Sequence, residues 1–182
     1  MVDPIPGTKL TGNAWVFPEG PLDVDWEICA FELLRTVVGG LDATYEELGK
    51  FCMINVDPDF PKKVQKGDFL VAGENMGYGH DHDHACKSIR GAGVGAVICE
   101  TTNANFMRNS FDHGLPIVEI PAVLSKVHPG DRLELDLAAG TLNNLTTEEE
   151  MQFAPLPGFI LNQLTAGGLY PHLANLIKSE KA

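Results

Sequence analysis

Positive charge is scarce in this chain: 13 Lys and Arg stand against 25 Asp and Glu, a formal charge of −12. Nucleic acid and anionic membrane surfaces would both be repelled, so neither is expected as a partner. A small anionic substrate survives this argument, because a helix N-terminus or a histidine cluster can outweigh the overall field locally. No apolar run approaches the roughly 18 residues of a membrane span. The opening MVDPIPGTKLTG lacks the basic start and apolar core of a signal peptide, and the closing Glu-Lys-Ala matches no common targeting signal, so a cytoplasmic protein is expected. Closely spaced cysteines are missing as well. Cys29, Cys52, Cys86 and Cys99 are too far apart for a zinc knuckle, a CxxC pair or the usual iron–sulfur set, and are read as reduced, buried thiols.

Repeats, low-complexity tracts and long linkers are absent too, so 182 residues with 44% apolar content imply one domain over 1–182 with a real core. Residues 12–17 read as a strand. Residues 26–38 read as a helix with Asp25 as N-cap and Gly39-Gly40 as its stop. A second helix is expected over 42–52, after which Pro58 and Pro61 break the chain. The middle alternates: strands at 68–72, 95–99 and 116–120, helices at 84–91 and 103–112. Continuous apolar runs such as GAVIC, separated by helices, imply parallel βαβ units. Beyond them, RLELDL alternates with period two, and Ala139-Gly140 turns it into a hairpin with 141–145. Helices at 159–166 and up to Lys178 close an α/β domain with a mixed sheet.

Chemistry concentrates between the first middle strand and its helix. Gly73, Gly77 and Gly79 permit a tight turn there, and the helix that follows offers unpaired amides. The pattern lacks the third glycine of a dinucleotide fingerprint and the lysine of a phosphate loop. His80, Asp81, His82, Asp83 and His84 then follow without a break. Three readings stand: a solvated helix start capped by Asp81 or Asp83, a metal site, or a catalytic turn with histidine as general base. Alternating imidazoles point one way only in a strand, and this is a strand-to-helix turn. The catalytic reading is therefore preferred and no metal is assigned.

The stretches GKFCMINVDPDFPKKVQKGDFLVAGENMGYG, HACKSIRGAGVGAVICETT and NFMRNSFDHGLPIVE resemble, in order and spacing, the small subunit of isopropylmalate dehydratase and the swivelling domain of aconitase. LDVD near the start and GTLNNLT and FILNQLTAGGL near the end extend the resemblance more weakly. It implies a swivelling (β/β/α) fold and a partner large subunit whose [4Fe–4S] cluster is the Lewis acid, with no cofactor in this chain. It also implies that a GSSRE-like turn supplies a serine base and a carboxylate-clamping arginine. Here the frame persists and the letters differ. His80 stands at the base position, Asp81 at the second serine, His82 at the arginine and Asp83 at the glutamate. Asp25 matches the aspartate of the family's first segment. Phe31 falls where an arginine follows it, with Arg35 one turn away. Ala104 replaces a later arginine, and Arg108 matches. The resemblance thus nominates His80, Asp81 and His82 as catalytic, and Asp25, Phe31, Arg35, Gly77, Tyr78, Gly79, Asp83, His84 and Arg108 as substrate-binding.

Two enzymatic functions follow. One is a hydro-lyase (a lyase with isomerase-type activity) in which this chain and a cluster-bearing large subunit dehydrate or isomerise a 2-hydroxy acid. The alternative is a stand-alone, cluster-free isomerase, epimerase or dehydratase that uses the histidine turn, with room for a homo-oligomer. A non-enzymatic binding module is a third reading with no feature of its own. Losing guanidinium forks and gaining Phe31 favours a small-molecule substrate that is more apolar, or carries fewer carboxylates, than isopropylmalate.

Overall fold

The structure, a computed structural model, describes residues 4–18, 20–34, 42–80 and 82–180. Among them, seven strands form one mixed sheet in the order β4-β3-β2-β1-β5-β6-β7. β1 (Lys9–Phe17), β2 (Phe69–Ala72), β3 (Ala96–Cys99) and β4 (Ile117–Glu119) run parallel. On the other side of β1, β5 (Arg132–Asp136), β6 (Thr141–Asn144) and β7 (Glu149–Gln152) are antiparallel. This is the mixed α/β architecture expected, with β7 and the first three residues of β1 added.

Period two decides the packing. In β2, Leu70 and Ala72 enter one core with Val97 and Cys99 of β3, while Phe69 and Val71 enter another with Ala96 and Ile98. Both faces are buried, as parallel strands require. Helix α4 (His84–Gly91) covers the first face through Ala85, Cys86 and Ile89. α5 (Ala104–Asp112), capped by the Asn103 side chain on Asn105 N, adds Phe106. α6 (Gly158–Ala166) and α7 (Leu169–Glu180) follow the hairpin. Asp68 joins β1 to β2: its buried carboxylate accepts from Asn13 N, Asn13 Nδ2, Trp15 Nε1 and Gln65 N at 3.0–3.1 Å. Those bonds outweigh the cost of burial and hold its pKa below the ordinary carboxylate value.

The helix expected over 26–38 is not continuous. Val24–Ile28 form a π-helical turn, Cys29 is extended and pairs with Cys52, and a short helix α1 (Phe31–Leu34) follows. Ile28, Cys29 and Ala30 are all buried, and three consecutive inward side chains cannot share one face of an α-helix. Asp25 is not the N-cap either. Asp23 has that role, its Oδ1 accepting from Asp25 N at 2.7 Å. Gly39-Gly40 lie outside the described residues. The second helix is shorter than expected, α2 (Tyr45–Gly49), opened by a capping box between Thr44 and Glu47. Pro61 does not break the chain but lies in the first turn of α3 (Phe60–Lys63), where no backbone donor is needed.

Candidate functional site

Two connections leave the carboxyl ends of neighbouring parallel strands, where open α/β sheets place their ligand sites. The first, after β1, carries Asp25 in the π-helical turn. The second, after β2, carries Gly77 to His84. They lie side by side: Gly77 N donates to Leu22 O and Val24 N to Tyr78 O, both at 2.9 Å. Close approach requires both glycines. A Cβ at Gly77 (φ +76°) would fall 2.1 Å from Phe106 Cγ, and one at Gly79 (φ +109°) would fall 2.7 Å from Asp23 Oδ2.

That pairing brings three imidazoles onto one carboxylate. His80 Nδ1 lies 2.7 Å from Asp25 Oδ2, while His82 Nδ1 and His84 Nε2 lie 3.1 and 3.2 Å from Asp25 Oδ1. A carboxylate only accepts, so His80 carries its proton on Nδ1 and the neutral ring keeps a lone pair on Nε2. The His80 side chain is 80% exposed, that of His82 37%, and that of His84 wholly buried. Neighbouring rings stay close, with centroids 5.6 Å apart for His80 and His82 and 5.3 Å for His82 and His84. Burial lowers the pKa of His84 against the pull of Asp25, which favours its neutral form.

Asp83 belongs to a separate network. Its Oδ2 meets His113 Nε2 at 3.1 Å and Lys87 Nζ at 3.0 Å, and the far nitrogen of His113 meets the Tyr45 hydroxyl at 2.6 Å. Chiefly through His113, these bonds hold the Asp83 carboxyl well below the usual range. Asp83 stands at the N-cap of α4 but its side chain makes no capping hydrogen bond, so the cap reading fails for Asp83, and Asp81, its other candidate, is not among the described residues. Of the other residues nominated from sequence, Gly77, Tyr78 and Gly79 form the wall against 22–24, and Phe31 opens α1. Arg108 is exposed on α5 and donates to Asn109 Oδ1 at 3.0 Å. Asp81 and Arg35 lie outside the described residues. Sequence reasoning passed over Asp23, His113 and Tyr45. Asp23 sits in the same LDVD segment as Asp25, two residues before it, and was the one signal available.

A cavity of about 610 Å³ lies at the opposite, amino-terminal ends of the strands, beside Lys9, Lys66 and Arg90. The cluster of histidines and Asp25 is not there. Chemistry, rather than volume, locates the site.

Comparison with known proteins gives the family. The Aconitase C-terminal domain family matches residues 41–122. The isopropylmalate/citramalate isomerase small subunit of Methanocaldococcus jannaschii is 45% identical over 164 residues, covering 90% of this chain and 93% of that protein. The chain belongs to the isopropylmalate dehydratase small-subunit family. The 3-isopropylmalate dehydratase small subunit of Wolinella succinogenes is 40% identical over 88% of this chain and 91% of its own. In three dimensions, 3-isopropylmalate dehydratase of M. jannaschii superposes with a TM-score of 0.82 at 31% identity, covering 96% of this chain and 99% of the other.

An iron–sulfur cluster does not fit the thiols of this family member. Cys29 pairs with Cys52 next to α1, Cys86 sits on α4 and Cys99 on β3, all fully buried. Burial pushes Cys29 and Cys86 up to about 12 and raises the other two, the reverse of what a thiolate ligand needs. Among the described residues, the one group of three or more His, Cys, Asp or Glu with converging ligand atoms is Asp25, His82 and His84.

Proposed function

We propose that this chain is the small subunit of a hydro-lyase that dehydrates or isomerises a 2-hydroxy acid, with His80 as its base. The observation that carries this is the 2.7 Å contact between His80 Nδ1 and Asp25 Oδ2 at the carboxyl ends of β1 and β2. Asp25 fixes the tautomer and orients the ring, so Nε2 faces outward, able to take the proton next to a substrate carboxylate. Imidazole does this near neutral pH without the activation a hydroxyl needs. His82 and Asp81 act on orientation and binding. Asp25 and the Gly77–Gly79 wall hold the turn, His84 backs it from the buried side, and Phe31, Arg35 and Arg108 keep the substrate-binding roles that the family resemblance gives them. The buried cysteines here do not fit an iron–sulfur cluster, so a [4Fe–4S] cluster would be held by the large subunit and would supply the Lewis acid for the substrate hydroxyl.

The relatives are named as small subunits, which supports a two-chain enzyme and gives no support to a stand-alone one. They are named for isopropylmalate and citramalate. Imidazole at His82 offers one hydrogen bond where a guanidinium offers two, so the chain by itself favours an acid with fewer carboxylates. Among the described residues no helix is long and apolar enough to cross a membrane.

The test is reconstitution with the large subunit and assay of dehydration across a panel of 2-hydroxy acids. His80→Ala should lower kcat by roughly 100- to 10,000-fold, the usual worth of a general base, with an unchanged circular dichroism spectrum. Full activity in that variant would remove His80 from the mechanism.

A further inference from the structure

We propose that Asp25, His82 and His84 form a binding site for one divalent transition-metal ion of the zinc class within this chain. Alternating histidines were expected to converge only in a strand, but here the turn wraps one carboxylate and its rings converge from outside. Asp25 Oδ1 lies 3.1 Å from His82 Nδ1 and 3.2 Å from His84 Nε2, and the three atoms all lie within 4.8 Å of one another. An ion bound at the usual 2.0–2.1 Å in a tetrahedron holds its ligand atoms roughly 3.3 Å apart, close to the two spacings observed. Two imidazoles and a carboxylate suit zinc, cobalt, nickel or ferrous iron and do not suit the all-oxygen shells of magnesium or calcium.

The surroundings match a bound ion. His84 is fully buried and Asp25 largely so, while His82 is half-exposed, giving a fixed floor and an open side for entry. His80 is not a ligand in this arrangement. It donates to Asp25 Oδ2, the oxygen turned away from the other two rings, and fixes the liganding carboxylate as second partners do at metal sites. Three protein ligands leave a position for water or for a substrate oxygen, the pattern of catalytic rather than structural zinc. Asp23, Asp25 and Glu27 crowd this turn with negative charge, which a dication offsets and an anionic substrate alone would meet as repulsion. With the ion in place the preference for fewer carboxylates is relaxed, so that preference describes the metal-free chain.

The site is at the turn assigned above to proton transfer, but binding can be measured without any catalytic assay. The full chain, stripped with a chelator, is titrated calorimetrically with Zn²⁺ and followed in the visible region with Co²⁺. One ion should bind per chain, with cobalt giving the intense ligand-field bands of a low-coordinate site. His82→Ala, which empties no core, should weaken binding by more than roughly 100-fold. His80→Ala should weaken it by about tenfold through the carboxylate, and His128→Ala should leave it unchanged. His84→Gln is the second ligand variant, with folding checked by circular dichroism. Failure to bind one ion, or binding that survives His82→Ala, overturns the proposal and leaves the reconstituted activity to be judged separately. Binding with an inactive His80→Ala enzyme supports both readings. Binding with a fully active one removes only the base.

Discussion

From Met76 to Gly79 the loop after β2 is held mainly by its backbone, whereas from His80 to His84 it is held mainly by side chains. Met76 takes Thr101 O on one side and gives its own carbonyl to Asn103 N on the other, and Gly77 and Tyr78 pair with 22–24. No side-chain identity enters those bonds except the absence of one at the glycines. The tip works differently, because three rings depend on the single carboxylate of Asp25. A frame built from main chain can keep its shape while the tip residues change. In the family resemblance read from the sequence, GENMGYG and HACKSIRG belong to the frame and the letters between them to the tip. Changes in the frame should therefore cost folding, and changes in the tip should cost chemistry.

The largest effect should come from Gly77→Val. The new side chain would start 2.1 Å from the Phe106 ring at a φ of +76°, which branched residues avoid. Strain and overpacking together should cost roughly 3–5 kcal/mol, read as a lower midpoint in urea. A variant as stable as the parent would break the distinction at its firmest point.

At the tip, Asp25→Asn should leave the unfolding free energy measured in urea within about 1 kcal/mol of the parent and remove activity to the same extent as His80→Ala. The double variant should be no worse than either single one, because both remove the same oriented imidazole. Additive losses would mean that the carboxylate and the ring act independently.

Asp68 tests the frame from a distance. Asp68→Asn puts an amide donor in place of one oxygen, facing two of the four existing donors, and should cost roughly 2–3 kcal/mol. The folded pKa is depressed, so the stabilisation is fully present above the unfolded value near 3.8 and is lost as pH falls through the folded one. The gap between parent and variant should therefore be constant near neutrality and shrink in acid below that value. A gap that does not change with pH would show that Asp68 acts by shape alone.

How much of this could be read from sequence follows the same division. The βαβ middle was legible because its strands are unbroken apolar runs and its helices start and stop at Asn103, Gly91 and His113-Gly114. β7 was not, since EEMQ has one buried residue, Met151, and is set by pairing with β6. The broken helix after Asp25 was missed because the Cys29–Cys52 bridge is a contact across the chain that no local pattern records. Histidines 80, 82 and 84 were found as a cluster, but their convergence was not. It depends on Asp25, 55 residues before His80. Resemblance brought Asp25 to attention, and geometry gave it a role different from the helix cap that local rules suggested.

The smallest effect, chemically close to none, is expected at the cysteines. A thiol must expose its sulfur and ionise before it can attack an alkylating agent or ligate iron. Cys29, Cys52, Cys86 and Cys99 meet neither condition: all four have no exposed surface, and burial raises every one of their pKa values. Cys86 is further engaged with Ser110 Oγ at 3.4 Å and Cys99 with Val118 O at 3.7 Å. Iodoacetamide should leave the native chain unlabelled over the time in which it labels all four thiols in denaturant, as counted by mass spectrometry. The purified chain should also lack the brown colour and acid-labile sulfide of an iron–sulfur cluster. Rapid labelling of one cysteine in the native protein would show that the frame opens locally at that residue. A brown protein with cluster absorbance would show that the thiols converge in solution, and would move the Lewis acid of the reaction into this chain.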